Sequence, residues 1–423
     1  MEYTQYKLSN GLTVLLDSMP QIETVSIRIL FKVGSRNEEN SIDGISHILE
    51  HMCFKGTENR TAKDIAKEFD MIGGYLNAYT GKERTVYHAK VLKEDIKTAL
   101  NILSDILIYS IHPEFELNKE KNVIIQEISD AEDDPEDVLF EALFKKAFEG
   151  DQFSKPVAGT PDSVSSCTRN DLLKYIEQYY HPENAYISVS GNFNENEIIS
   201  YMENYFKHWQ ASENKIFQNN TQPKYIGGNI RVTKSIEQAH VAIAFEGSPI
   251  TNDSEYYVQQ VASLIAGGSM SSRLFQEVRE NRGLAYSISS FCSNYTDCGL
   301  WGVYASTEPK SLQELVEVTI DELKKMTENI QEEEITIAKA QIKSSLLMSM
   351  ESSSNRAEKL VNNIATFNRV ISNTEIVKAI EAITIDSVKE CMKKLLQSTC
   401  TVSAVGQIDS LQSYQEIIAR LTS

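Results

Sequence analysis

The sequence predicts an α+β protein built of two tandem homologous units, each a largely antiparallel β-sheet with helices packed on one face. Three observations carry this. The chain has 423 residues, more than the roughly 100–200 of one ordinary domain. It is 41% hydrophobic and 24% charged, ordinary globular composition that excludes wholesale disorder. Finally, the order of strand-like and helix-like segments in the first half recurs in the second.

The opening reads as a hairpin, with Tyr6-Lys7-Leu8 and Leu12–Leu16 flanking Asn10-Gly11. Residues 24–33 alternate through Val25, Ile27, Ile29 and Phe31 as a half-buried strand does. A helix is expected from Gly44, strand over 73–91, amphipathic helix over 94–109 and a further helix over 116–131 that Pro135 stops. Residues 186–189 read as strand. Residues 212–224, rich in Asn, Gln and Lys, form the expected linker between units 1–211 and 225–423. Beyond it, strands are expected at 240–245, 284–291 and 301–305, and helices at 256–266 and 312–326. The segment Thr85-Val86-Tyr87-His88-Ala89-Lys90 before one helix resembles Gly302-Val303-Tyr304-Ala305-Ser306 before another, which is the clearest sign of duplication.

A net charge of −19 argues against nucleic-acid or anionic-lipid surfaces as partners. It is unevenly spread, with −14 in residues 1–210 and −5 in 211–423. The densest run, from Glu127 to Glu141, holds eight acids and no Lys or Arg. No stretch approaches 18 apolar residues, so no membrane-spanning helix is expected. The N-terminus lacks the layout of a signal peptide or presequence, which leads to an expected cytoplasmic location. The six cysteines are scattered without a CxxC pair, which suits a reducing compartment.

His47-Ile48-Leu49-Glu50-His51 is the decisive motif. On a helix, His47 and His51 stand one turn apart on one face, the spacing two imidazoles need to grip one metal ion, and Glu50 lies close enough to address a bound water. The pattern H-x-x-E-H is the inverzincin signature. Cys53 follows closely, but its offset turns its side chain away from the histidine pair. Catalytic zinc usually has three protein ligands, and the expected helix 116–131 supplies candidates. Glu120 and Glu127 are seven apart, on one face that borders Val123, Ile124 and Ile128, so both acids should be drawn toward the core. Coordination, or a hydrogen bond to a ligand histidine, would relieve the cost of burying them.

With these residues the chain resembles the pitrilysin/insulysin family of inverzincin metallopeptidases. Within it the resemblance is to the processing-peptidase branch typified by the β subunit of the mitochondrial processing peptidase. The likeness extends over Gly44-Ile45-Ser46, Phe54-Lys55-Gly56-Thr57, Gly73–Ala78 and the acidic helix ending at Pro135. In the second half it covers Gly267–Phe275 and Glu280–Tyr286. It implies one Zn2+ per chain held by His47, His51 and Glu127, with Glu50 as general base and Glu120 as the carboxylate behind the ligands. It implies that Arg279 and Tyr286 meet substrate near the scissile carbonyl. It also implies that an extended peptide adds to an exposed edge strand through Asn77 and the backbone of Ala78. In the processing-peptidase branch, carboxylates ten and fourteen residues past the glutamate ligand recognise an arginine two residues before the cut. Those positions are Asp137 and Glu141, which leads to an expected preference for basic, presequence-like peptides.

The second half places Gln259, Ala262 and Ser263 where the first has His47, Glu50 and His51, so no second metal site is expected. The family's chamber takes four such units and this chain has two, so a homodimer is expected, or a heterodimer with an inactive homologous subunit. The competing reading is a non-catalytic structural or chaperone-like core subunit of the same fold. The intact motif argues against it.

Overall fold

The hairpin at Asn10-Gly11 opens the first sheet of the computed structural model, which describes residues 2–39, 41–210 and 221–423. Strand β1 (Thr4–Lys7) pairs antiparallel with β2 (Thr13–Ser18). The Asn10 side-chain oxygen accepts the Leu12 N–H at 3.2 Å, and Gly11 sits at φ +93°, which a residue with a Cβ adopts only under strain. The sheet is completed by β3 (Thr24–Phe31), β4 (Tyr75–Thr80), β5 (Thr85–Leu92) and β6 (Ala185–Gly191), in the order β1-β2-β6-β3-β5-β4. Among the described residues, β2 and β6 form this sheet's one parallel pair. The strand expected over 73–91 is a hairpin. Gly81 N–H bonds Arg84 O at 2.8 Å, closing a turn whose polar run Gly81-Lys82-Glu83-Arg84 interrupts the apolar pattern. Strand β4 lies at the sheet edge and, among the described residues, pairs with β5 alone.

The second sheet contains β7 (Gly228–Thr233), β8 (Ala239–Glu246), β9 (Ser287–Asn294), β10 (Gly299–Thr307) and β11 (Cys400–Gly406), in the order β7-β11-β8-β10-β9. Its parallel pair is β7 with β11. This is the first sheet's pattern without β1, so the duplication holds at the level of topology. The local likeness between Tyr87 and Tyr304 does not. Tyr87 faces the layer of several helices, whereas Tyr304 faces the opposite side of its sheet. A one-residue offset in a strand flips every side chain.

Each sheet buries one face under several helices. In the first, Val14, Leu16, Val25, Ile27, Ile29 and Phe31 pack with Ile48, Leu49, Leu100, Leu103 and Met202 from helices Ile45–Met52, Ile96–Ile108 and Glu195–Phe206. In addition, a single helix covers the other face. For the first sheet this is Ser353–Phe367, with Leu360, Val361 and Ile364 against Leu15, Leu30 and Val86. It is fixed by the Arg356 guanidinium on fully buried Asp17, at 2.6 and 2.5 Å. For the second sheet it is Pro135–Ala147, with Leu139 and Leu143 against Ala242, Ala244 and Val405.

The chain accordingly divides into one unit of Met1–Ser129, Lys155–Asn220 and Leu347–Ser372, and another of Asp130–Ser154, Thr221–Leu346 and Asn373–Ser423. All strands of each sheet come from one half of the chain, but each half sends one covering helix into the other unit. Of the expected linker 212–224, residues 212–220 lie outside the described residues. Pro135, expected as a stop, opens a new helix. Asp134 caps it, accepting the Glu136 and Asp137 N–H groups at 2.8 and 3.2 Å, and proline at the first helical position loses no needed donor.

Candidate metal centre

The helix Ile45–Met52 is short, and its N-terminus is held by a side chain from elsewhere. Its N-cap, Gly44, has φ +89° and no side chain to cap with, and a Cβ there would lie 2.5 Å from the Ala158 carbonyl oxygen. The buried Glu38 carboxylate caps instead, accepting the Gly44 N–H at 2.7 Å and the Ser46 N–H at 2.9 Å. Near the other end lies buried His112, at φ +44°, whose ring burial pushes down to a pKa of about 4, opposed by the neighbouring Met52 backbone. Ile48, Leu49 and Met52 are fully buried, which turns His47 and His51 together to the other side, their ring centroids 4.7 Å apart.

Glu127 approaches both rings from helix Glu114–Asp133. Its Oε2 lies 4.0 Å from His47 Nε2 and 3.6 Å from His51 Nε2. One donor atom from each of the three falls within 4.8 Å of the others, and among the described residues no other such group of three His, Cys, Asp or Glu comes together. Glu120 Oε2 takes His51 Nδ1 at 3.1 Å, while Lys55 Nζ sits 2.7 Å from Glu120 Oε1. With its Nδ1 proton given to Glu120, the His51 ring presents the Nε2 lone pair toward Glu127. Of the two acids expected to turn inward, Glu120 does so at 5% exposure. The Glu127 side chain is 46% exposed. Seven residues fall about 20° short of two helical turns, and Glu127 reaches the site from its rim.

Burial pushes the His47 pKa down to about 4, with neighbouring His51 adding to the effect, so the ring is neutral and able to coordinate. Glu50 is buried on the same helix, and burial raises its carboxyl above the usual range. The Thr80 hydroxyl, at the end of edge strand β4, donates to Glu50 Oε2 at 2.5 Å and opposes that rise. Cys53 faces the core. It accepts the Tyr87 hydroxyl at 3.3 Å, and burial lifts its thiol to about 12, so it stands outside the donor set.

Asn77 is exposed on β4, and its side-chain oxygen accepts the Ala78 N–H at 2.9 Å. The remaining expected site residues belong to the second unit. Asp137 and Glu141 are exposed, one turn apart on helix Pro135–Ala147. Arg279 is exposed, its guanidinium 4.9 Å over the Phe275 ring, and Tyr286 is 54% exposed, its hydroxyl 3.3 Å from Glu308 Oε1. Gln259 is buried with its side-chain oxygen taken by the Ser248 N–H, and Ser263 bonds Ser290. Sequence reasoning missed the roles of Glu38, Lys55 and Thr80 in this site. Lys55 carried a signal, within the family-like run Phe54-Lys55-Gly56-Thr57, and Thr80 closes the expected edge strand.

Residues 13–161 match the family model described as Insulinase (Peptidase family M16), and residues 166–342 match the Peptidase M16 inactive domain. A protein named as an uncharacterized zinc protease in Rickettsia felis is 42% identical, over 95% of this chain and 97% of its own length. The mitochondrial-processing peptidase subunit beta of Lentinula edodes is 32% identical, over 97% of this chain and 91% of its own. A crystal structure of a protease from Helicobacter pylori shares the fold at TM-score 0.88 and 23% identity, over 96% of this chain and 99% of that one. The chain belongs to peptidase family M16. It is a metallopeptidase of the zinc-protease type.

Glu38 gives the site's support a pH signature. Burial raises its pKa from 4.5 to about 7, against opposing hydrogen bonds from Ser46 and Gly44. A folded pKa above the unfolded value means stability that is fully present below pH 4.5 and lost as pH rises through about 7. At about 1.4 kcal/mol per unit, the loss is on the order of 3 kcal/mol. Denaturant unfolding of the metal-free protein at pH 5 and pH 8 is expected to show a larger drop for wild type than for Glu38→Gln. Equal drops would contradict this assignment.

Proposed function

We propose that the chain is a zinc-dependent endopeptidase in which His47, His51 and Glu127 hold one Zn2+ per chain and Glu50 is the general base. The observation that carries this is the convergence of two imidazole donors and one carboxylate within 4.8 Å, beside a buried carboxyl. The donor chemistry fits zinc: two nitrogens and one oxygen leave a fourth position for water. Glu120 would hold the His51 tautomer. When bound, zinc supplies a polarised carbonyl and a water whose pKa is lowered toward neutrality.

Glu50, with one oxygen bonded to Thr80, keeps the other free to take the proton of the attacking water and pass it to the leaving amine. Tyr286 donates a hydrogen bond to the carbonyl oxygen as charge develops there, and Arg279 binds substrate beside it. An extended peptide adds to the open edge of β4, held by Asn77 and the Ala78 backbone. Such binding selects unstructured chains, because a folded substrate has no free strand to offer. Asp137 and Glu141 are read as the subsite for an arginine, which makes basic, presequence-like peptides the preferred substrates. The second unit acts as a clamp, and the working assembly is a homodimer, or a heterodimer with an inactive homologue, in which Arg279 and Tyr286 of one subunit serve the zinc of the other.

Hydrolysis of a quenched basic peptide tests the base. Glu50→Gln is expected to lower the rate by about 10²–10⁴ while keeping its zinc, and an undiminished rate would sink the assignment. The arginine subsite has its own test in Asp137→Asn combined with Glu141→Gln. Cleavage of Arg-containing peptides should fall much further than that of neutral ones. A uniform loss speaks against an arginine subsite.

A further inference from the structure

We propose that Lys55 is a positioning residue for the metal centre, acting through Glu120 to fix the ring of His51; this rests on the zinc site read above. The two candidate histidines are not oriented alike. His47 Nδ1 is buried with no hydrogen-bond partner among the described residues, so no bond through that atom sets its ring. His51 is held through Nδ1 by Glu120 Oε2 at 3.1 Å. A carboxylate held at one oxygen still pivots about that contact. Here the second oxygen is taken as well, by Lys55 Nζ at 2.7 Å. Both partners are sheltered, the Glu120 side chain at 7% and that of Lys55 at 28% exposure, so water screens the pair only weakly.

The lysine is itself anchored. Its N–H bonds Met52 O at 3.2 Å, the preceding Phe54 N–H bonds His51 O at 3.1 Å, and Thr57 N–H bonds Arg60 O at 2.8 Å. Thr57 is further tied to Asp105 at 2.7 Å. The relay Lys55–Glu120–His51 therefore starts on fixed backbone and ends on the nitrogen opposite the coordinating one. Without the ammonium, Glu120 would lose one of its two fixed points and the His51 ring would sample more orientations. Partners of this kind, behind the metal ligands, typically change metal affinity by about 10–100-fold.

The test is the zinc dissociation constant of the full-length protein by chelator competition, together with the visible absorption spectrum of the cobalt-substituted form. Lys55→Met is expected to weaken zinc at least about 10-fold and to alter the cobalt spectrum. Lys55→Arg, which keeps charged donors, should restore both. Lys55→Gln carries the comparison if the methionine variant does not fold. Affinity within twofold of wild type and an unchanged spectrum would overturn the proposal, whatever happens to the unfolding temperature, because an ion pair that only ties the turn to its neighbouring helix changes stability alone. A wild-type chain that takes up no zinc would overturn the metal reading itself, and this inference with it.

Discussion

Eight residues, Ile45–Met52, carry opposing demands on which the whole site depends. One side of the helix must be apolar enough to seat on the sheet, and the other must keep two imidazoles pointing together. A helix of two turns has little stability of its own. Its orientation is borrowed: from Ile48, Leu49 and Met52 in the core, and from Glu38 at its N-terminus. The buried carboxylate of Glu38 is costly at neutral pH, but a negative group suits the exposed N–H groups and positive pole of a helix start.

The same logic extends outward. The first sheet is covered on both faces, with β3 and β6 inside it, while β4 lies at its edge, paired on one side among the described residues. Thr80 sits at the end of that edge strand and bonds Glu50. The strand proposed to receive the peptide is thus the strand that touches the proposed base. Lys55, Glu120 and His51 form a second line of contacts leading to the proposed metal position.

Much of this was legible in the sequence, for identifiable reasons. The i, i+4 pair His47 and His51 is a local pattern, and local patterns survive without a structure. The same is true of the Asn10-Gly11 hairpin and of Glu120 and Glu127 on one helix. What could not be read depends on contacts between distant segments. Glu38 reads as one acid among many until the chain brings its oxygens onto Gly44 and Ser46. The two covering helices, 135–147 and 353–367, carry no sign of which sheet they will cover. Pro135 signals a break equally well as the end of one helix or the start of the next. The acidic run at 127–141 was visible as composition, yet it spans two units: Glu127 lies in the first, and the residues from Asp130 onward in the second.

The central claim is that His47, His51 and Glu127 together hold a metal ion. Anomalous X-ray diffraction from crystals of the zinc-loaded protein, recorded on both sides of the zinc absorption edge, tests it most directly. The account predicts one edge-dependent peak per chain, within about 2.0–2.2 Å of His47 Nε2, His51 Nε2 and a Glu127 oxygen. A peak elsewhere, or none at that position in a zinc-loaded crystal, would contradict it.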